Sequence, residues 1–375
     1  MESMKIGIVI LHCLQTHASR YVGEVTKHFI KQGHEVHVFT NRWDALDPAV
    51  IVHKIPVFPY NDYLKELSFT ILASIITKFY KLDVTMAQAT RYFSPDVCYM
   101  QFVYKEWISF MKRNGFAPVF PNIFALWMEG WNTRRAKRVI AMSNIVKKEL
   151  VKNHRVPEAN INIIYSGVDL NKFNPAKRAV VSNDIRHKLG LNSDDIVIIS
   201  VGNPYTRKGL EYAVKALPLI FDKRVKLLVL GRDIGNDKFE NYKKLAENVD
   251  VSERLIYGGF RGDVENFYAA SDIFLLPTLY EPFGLVVLEA LSAGLPVVVS
   301  KTAGAAELVE DGKEGILLKD PKDEKEIATA INMLLENERY KKFGKNARLK
   351  AEKYPWSRLA NELLNVFEEV KTGKK

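Results

Sequence analysis

The chain has 375 residues, 47% of them apolar and 26% charged, with a formal net charge of +10 and two cysteines. That length suits two globular domains, and the composition excludes a disulfide framework and a thiol-based zinc cluster. Up to Val168 there are 21 Lys and Arg against 13 Asp and Glu, and beyond it 33 against 31. The basic first half suits a phosphate-bearing partner (nucleotide, nucleic acid or anionic membrane surface) or simply a solvated basic face.

"KIGIVIL" (5–11) is a continuous apolar run, as in a parallel strand covered on both faces. It reads as a first strand rather than a signal peptide, since it is short, carries His12 and lacks a small-residue cleavage site. In "RYVGEVTKHFIKQGH" the apolar residues Tyr21, Val25, Phe29 and Ile30 repeat at helical spacing, and Gly33 stops the pattern. "EVHVFT" is the next strand, so the unit is βαβ and the sheet parallel and doubly wound. The strands "IVHKIPV", "DVTMAQ" and "DVCYMQF" follow, with a helix predicted over Leu64 to Tyr80. "RVIAMS" and "INIIYSGVD" bracket the helix "NIVKKELVKNH".

A polar, Pro-containing segment from Asp169 to Asn183 is the expected boundary. Beyond it the pattern restarts: "DIVIISVG" (strand), "KGLEYAVKALPLI" (helix), "VKLLVLG" (strand), "ENYKKLAENV" (helix) and "RLIYGG" (strand). Then come "DVENFYAAS", "DIFLLPT", a helix from Leu285, "LPVVVS", "AAELVED" and "EGILLK", with the last helices from about Lys325 to the end. The pattern predicts two doubly wound, Rossmann-like α/β domains facing across a cleft, with ligands beyond the carboxyl ends of the strands. No window approaches the roughly 18 apolar residues of a membrane span, and the expected location is cytoplasmic.

Candidate chemistry clusters in the second half. "DIFLLPTLYEPFGLVVLEALSAG" ends a strand and turns. Gly284 permits close approach of a ligand to the backbone, and the amides near Gly284, Leu285 and Val286 open a helix N-terminus fit for an anion. Glu289 is one turn further in, where it can accept from paired hydroxyls, and Glu281 reaches another part of the same ligand. The plain alternative is a solvated Glu281 and a Glu289 paired with a lysine. Arg207 and Lys208 follow a strand and precede a helix, which suits a diphosphate. The loop Gly258 to Gly262 fits a base-binding position or a tight turn.

His12 and His17 follow the first strand, where either can meet substrate or serve structure. "HEVH" is not the HExxH zinc pattern, and no GxxxxGK[ST] or GxGxxG motif occurs. The segment Tyr99 to Arg138 is rich in aromatics (Trp107, Phe110, Phe116, Phe120, Phe124, Trp127, Trp131) and ends in Arg134, Arg135, Lys137 and Arg138. It suits an anionic bilayer interface, stacking on single-stranded nucleic acid, or core aromatics under a charged face.

Together, "INIIYSGVDLNKFNP", "RKGLEYAVKAL" and "GGFRGDVENFYAASDIFLLPTLYEPFGLVVLEALSAGLPVVVSKTAGAAELVEDGKEGILL" resemble the GT-B glycosyltransferases of the retaining family 4 (glycosyl transferases group 1). The E-x7-E element is Glu281 and Glu289. The resemblance implies an acceptor-binding domain over 1–170, a nucleotide-sugar-binding domain over 171–354, and a helix over 355–375 crossing back to the first domain. By the same resemblance, Arg207 and Lys208 neutralise the donor diphosphate. Glu289 holds the ribose, and Glu281 touches the donor sugar or its phosphate. Phe283, Gly284 and Leu285 supply backbone amides, and Phe260 and Arg261 lie near the base. His17, Gln101 and Tyr104 fall on the acceptor side; Gln101 stands where many members have a histidine, and the loop "LHCLQTHASRY" lacks the frequent Gly-Gly.

The resemblance implies transfer of a hexose from a nucleotide-diphosphate sugar to a hydroxyl, without a cofactor or divalent metal, and the basic, aromatic first half suits a lipid-linked or cell-surface glycan as the acceptor. Peripheral contact with an anionic membrane is expected and a nucleic-acid partner is not, while the oligomeric state, the base and the sugar stay open. Alternatives are a nucleotide-sugar-binding protein without turnover and a nucleic-acid binder.

Overall fold

The computed structural model describes residues 2–13, 20–44, 46–58, 60–88, 91–115, 122–203, 206–232 and 238–373. The chain forms two compact units: Met1–Gly167 with Trp356–Lys375, and Val168–Pro355.

In the first unit, β1 (Lys5–Val9), β2 (Glu35–Thr40), β3 (Ile51–Lys54), β4 (Val84–Gln88), β5 (Val97–Met100), β6 (Arg138–Ala141) and β7 (Ile161–Ile163) form one sheet. Its order is β3-β2-β1-β4-β5-β6-β7, and every neighbouring pair is parallel. Ile6 lies between Val36 and Val84, all three buried, which is why these strands are apolar runs rather than alternating ones. The helices are α1 (Arg20–Lys31), α2 (Asp62–Ile76), α3 (Tyr104–Arg113), α4 (Ile123–Arg135) and α5 (Asn144–His154). Asn61 caps α2 by accepting from the Leu64 amide at 2.8 Å, and Ser143 caps α5 from Val146 at 3.2 Å.

In the second unit, β8 (Ile196–Val201), β9 (Val225–Leu230), β10 (Leu255–Gly259), β11 (Ile273–Leu276), β12 (Val297–Ser300) and β13 (Gly315–Leu318) form an all-parallel sheet ordered β10-β9-β8-β11-β12-β13. Its helices are α6 (Arg178–Lys188), α7 (Leu210–Ala216), α8 (Lys238–Asn248), α9 (Val264–Ala269), α10 (Leu285–Ser292), α11 (Glu324–Leu335) and α12 (Arg339–Ala351). Ile198, Leu227, Ile273 and Val298 on the strands meet Leu210, Val214, Ile327 and Ile331 on α7 and α11 in one core. In both sheets the strand order reverses beside the first strand, at β1/β4 and at β8/β11, the switch points where such sheets hold ligands.

The last helix, α13 (Trp356–Thr372), belongs to the first unit. Phe367 meets Phe29 of α1 edge-on at 5.8 Å, Gln32 donates to Asn361 at 2.7 Å, and Arg358 donates to the Tyr165 carbonyl at 2.7 Å.

Several elements differ from expectation. No element was expected between Asp169 and Asn183, yet Arg178–Lys188 is helical, with Arg178 and Arg186 reaching the two carboxylate oxygens of Asp272 at 2.6 and 2.7 Å. Its anchors are ionic, so no apolar period announced it. The α2 helix runs Asp62–Ile76 rather than Leu64 to Tyr80, closing in a tight turn at Thr77–Phe79. "INIIYSGVD" yields only the three-residue β7, and "AAELVED" a 3-10 turn over Gly304–Leu308.

Candidate functional site

At the β8/β11 switch point of the second unit, a 3-10 turn over Thr206–Lys208 carries both predicted cations to the carboxyl edge. Gly209 follows at φ +71°, where a Cβ would sit 1.9 Å from the Pro277 carbonyl oxygen. Only glycine therefore lets α7 begin against the end of β11. The Leu279 amide and Thr278 hydroxyl both donate to the Arg207 carbonyl, at 2.8 and 3.0 Å, fixing the turn from the other side. Gly202 ends β8 at φ +138°, and a Cβ there would press on the Lys208 stem at 3.2 Å.

Glu281 completes the cluster. Its Oε2 accepts from Arg207 Nη1 at 3.0 Å and from Lys208 Nζ, while Arg207 Nη1 also donates to the Tyr280 carbonyl at 2.6 Å. All three side chains are only 14–16% exposed. Burial opposes ionisation of Glu281, but Lys208 and then Arg207 outweigh it and hold the carboxyl at about 2. Burial likewise pushes the Lys208 ammonium below its usual value; Glu281 opposes that and Arg207 reinforces it. The turn bearing Glu281 is sewn to the chain after β12. The Glu281 amide donates to Thr302 at 3.1 Å, Gly304 to Glu281 at 2.9 Å, and Ala305 to Phe283 at 2.7 Å.

Gly284 caps α10 in the left-handed region, at φ +94°, and a Cβ there would stand 3.1 Å from Glu281 Cγ. The start of α10 thus lies against Glu281, the carboxylate that holds both cations. Phe283 is buried, with its carbonyl committed to Ala305. Glu289 is 3% exposed, and the Tyr268 hydroxyl lies 3.4 Å from its Oε2. Glu281 therefore sits on the cations, and Glu289 lies buried one turn into the helix.

The loop after β10 carries Phe260 and Arg261. The Phe260 ring is exposed and stacked under the Arg232 guanidinium at 4.7 Å, while Arg261 lies 5.1 Å from the Phe267 ring. Arg232 escaped sequence reasoning; its signal is its place just after β9, on the edge that carries Phe260. Gly231 before it is forced, since a Cβ would fall 2.2 Å from the Gly202 carbonyl oxygen.

In the first unit, a cavity of about 330 Å³ opens at the carboxyl edge of β4 and β5 and is lined by Gln101 and Tyr104 among others. His17 lies outside the described residues. Sequence reasoning missed Asp62, Glu66, Arg91 and Glu129 in this lining, because they come from α2, α4 and a loop with no motif among them. His12 follows β1, and its Nδ1 is buried without a partner among the described residues. Burial first, then Lys65, Arg91 and Arg42, disfavour its charged form.

The aromatic segment divides. Phe110 is buried, Trp127 is 49% exposed, and Phe116 and Phe120 lie outside the described residues. Rings of Tyr63, Phe124, Trp127 and Trp131 contact in series, and Arg135 covers Trp131 at 4.0 Å. Among the described residues no helix is long and apolar enough to cross a membrane.

The sequence profile of the family described as Glycosyl transferases group 1 matches residues 181–350, and that of Glycosyltransferase Family 4 matches residues 18–172. The uncharacterized glycosyltransferase MJ1607 of Methanocaldococcus jannaschii is 31% identical over 246 residues, 64% of this chain and 62% of that protein. The matched stretch is thus under two thirds of that relative's length. The lipopolysaccharide glucosyltransferase WaaG of Escherichia coli is 23% identical over 310 residues, 81% of this chain and 82% of that one. A crystal structure of WaaG superposes with a TM-score of 0.78 at 19% identity, covering 96% of this chain and 99% of that one. Anabaena HepE, in complex with UDP and glucose, gives 0.77 at 20% identity over 98% of this chain and all of that one. Two parallel Rossmann-like sheets, the paired cations with their E-x7-E carboxylates and two adjoining family matches agree: the chain belongs to the GT-B glycosyltransferases of the group 1/family 4 type.

Proposed function

We propose that the protein is a retaining glycosyltransferase that moves a hexose from a nucleotide-diphosphate sugar to a hydroxyl of a lipid-linked or cell-surface glycan. The observation that carries this reading is the Arg207–Lys208–Glu281 cluster beside the mouth of α10. Two largely buried cations and a helix N-terminus without a side-chain cap suit an electrostatic seat for a diphosphate. HepE was crystallised with UDP and glucose, which suits a nucleotide sugar here.

In this reading the bond from the sugar's anomeric carbon to the diphosphate breaks, and negative charge grows on the leaving group. Arg207, Lys208 and the α10 amides at Gly284 and Leu285 stabilise that charge, so no divalent metal is needed. The acceptor oxygen bonds to the anomeric carbon from the leaving-group side, and its proton passes to a phosphate oxygen. Configuration is retained and no protein base is required. Glu289 binds the ribose hydroxyls, Glu281 contacts the sugar or its phosphate, and Phe260 and Arg261 flank the base. Gln101, Tyr104 and His17 serve the acceptor in the first unit.

The surface of that unit supports a lipid-linked acceptor. Leu64, Ile71, Ile75 and Phe79 are exposed along one stripe of α2 and its closing turn, and Ile123 and Trp127 along α4, with Arg134 and Arg135 at its end. Such a face suits peripheral contact with an anionic bilayer on the cytoplasmic side.

A thermal-shift screen of UDP, GDP and ADP and their sugars tests the donor site. A donor at 100 times its Kd stabilises by about 2.7 kcal/mol, and no shift with any nucleotide contradicts the reading. The positive donor, incubated in EDTA with glycan acceptors, should release its nucleotide diphosphate. Binding without release in any pairing favours the second reading, a sugar-nucleotide binder without turnover, to which the non-titrating Gln101 in the cavity lends support.

A further inference from the structure

The first-unit cavity has a charge pattern that bears on what it can hold. Its described lining includes Asp62, Glu66 and Glu129 against a single guanidinium, Arg91. The two features in it that would attract a phosphate are already occupied by the protein's own carboxylates. Glu66 Oε1 accepts from Arg91 Nη2 at 2.9 Å. Glu129, 2% exposed, accepts from the first amides of α3, Tyr104 at 2.7 Å and Lys105 at 3.3 Å, and from His154 Nε2 at 2.7 Å. The N-terminus of α3, an anion seat by geometry, is therefore filled from within.

The rest of the lining is of a kind that suits hydroxyls. Gln101 offers an amide and Tyr104 a hydroxyl that already accepts from the Asn122 amide at 3.2 Å and can still donate. Tyr63 and Phe102, 47% and 43% exposed, give flat apolar faces at the rim. An excess of carboxylates with aromatic faces matches a neutral or amine-bearing polyol and repels a dianion.

We propose that this cavity binds the sugar end of the acceptor as an uncharged or amino-bearing polyol, and that it discriminates against a phosphorylated sugar by charge. The proposal rests on the acceptor reading given above and adds the ligand's chemical class. Glu66 and Asp62 are its specificity-determining residues. Glu129 is a positioning residue, since it holds the α3 terminus that follows Gln101.

The test uses the full chain with its donor site saturated by UDP and reads saturation-transfer NMR titrations of three probes: methyl glucoside, methyl glucosaminide and glucose 6-phosphate. The glucosaminide should bind at least as tightly as the glucoside, and the phosphate at least tenfold more weakly. The gap should narrow as ionic strength rises. The double variant Glu66→Gln, Asp62→Asn should close the gap at least fivefold while moving the glucoside Kd less than threefold. Gln101→Ala should weaken all three probes and leave the UDP-induced thermal shift intact, which places them in this cavity. Glucose 6-phosphate binding as tightly as the glucoside, or a gap unmoved in the double variant, overturns the proposal. No binding of any probe also overturns it; a thermal shift with any of UDP, GDP or ADP then leaves the transferase reading standing, and no shift with any of the three sinks both.

Discussion

Glu281 is the residue on which the proposed donor site turns, because the carboxylate occupies the cations that a diphosphate would take. Its Oε2 receives both Arg207 and Lys208. Donor binding on the proposed reading is thus an exchange of one anion for another, and the exchange lowers apparent affinity. Glu281→Gln removes the competing charge and keeps an acceptor of the same size. UDP should then bind roughly fivefold tighter, about 1 kcal/mol, while turnover falls because the sugar loses its carboxylate contact. Weaker UDP binding in this variant would mean instead that Glu281 aligns the cations for the phosphates. The same residue sets an acid limb. Its folded pKa, about 2, lies below the 4.5 of the free side chain, so the stability it lends is complete above pH 4.5 and is lost as pH falls towards 2. That contribution is roughly 3 kcal/mol, and the Gln variant should lack that part of the acid destabilisation in urea titrations run from pH 5 to pH 2.

At the scale of elements, the site depends on two turns made possible by glycine. Gly209 lies at φ +71° with the Pro277 carbonyl where a Cβ would be. Gly209→Ala must push α7 off β11 and carry Lys208 with it. A loss on the order of 2–4 kcal/mol is expected in urea unfolding, with UDP affinity reduced at least tenfold. Unfolding unchanged within 0.5 kcal/mol would show that the turn relaxes at no cost. The strands of both sheets were legible because burial on two faces writes continuous apolar runs, as in "KIGIVIL" and "DIVIISVG". The cation pair and the E-x7-E stretch were legible because they follow such strands, the first on a 3-10 turn and the second on a turn that runs into α10. The α6 helix was not, since Arg178 and Arg186 hold it through Asp272 rather than through an apolar stripe. The cavity carboxylates were not either: Asp62 and Glu66 share a face of α2 at i, i+4, but Glu129 and Arg91 join them only through the tertiary fold, and Glu66 pairs with Arg91 across 25 residues.

At the scale of the whole molecule, the two units differ in how their chain is supplied. The second is one continuous stretch, Val168–Pro355, whereas the first borrows Trp356–Lys375 from the far end. On α13, eight side chains are buried: Trp356, Leu359, Ala360, Leu363, Leu364, Val366, Phe367 and Val370. The larger of these contribute about 1.5–3 kcal/mol each on burial. Their sum is comparable with the entire 5–15 kcal/mol stability of an ordinary domain. A fragment of residues 168–355 should therefore unfold in one cooperative urea transition and, on the donor reading, bind UDP within threefold of the full chain. A fragment of residues 1–167 should expose the α1 face that Phe29 shares with Phe367 and should aggregate or lose near-ultraviolet dichroism. Adding a peptide of residues 353–373 in trans should restore a cooperative transition to it. If the first fragment folds equally well without the peptide, α13 is an accessory cover rather than part of that unit's core.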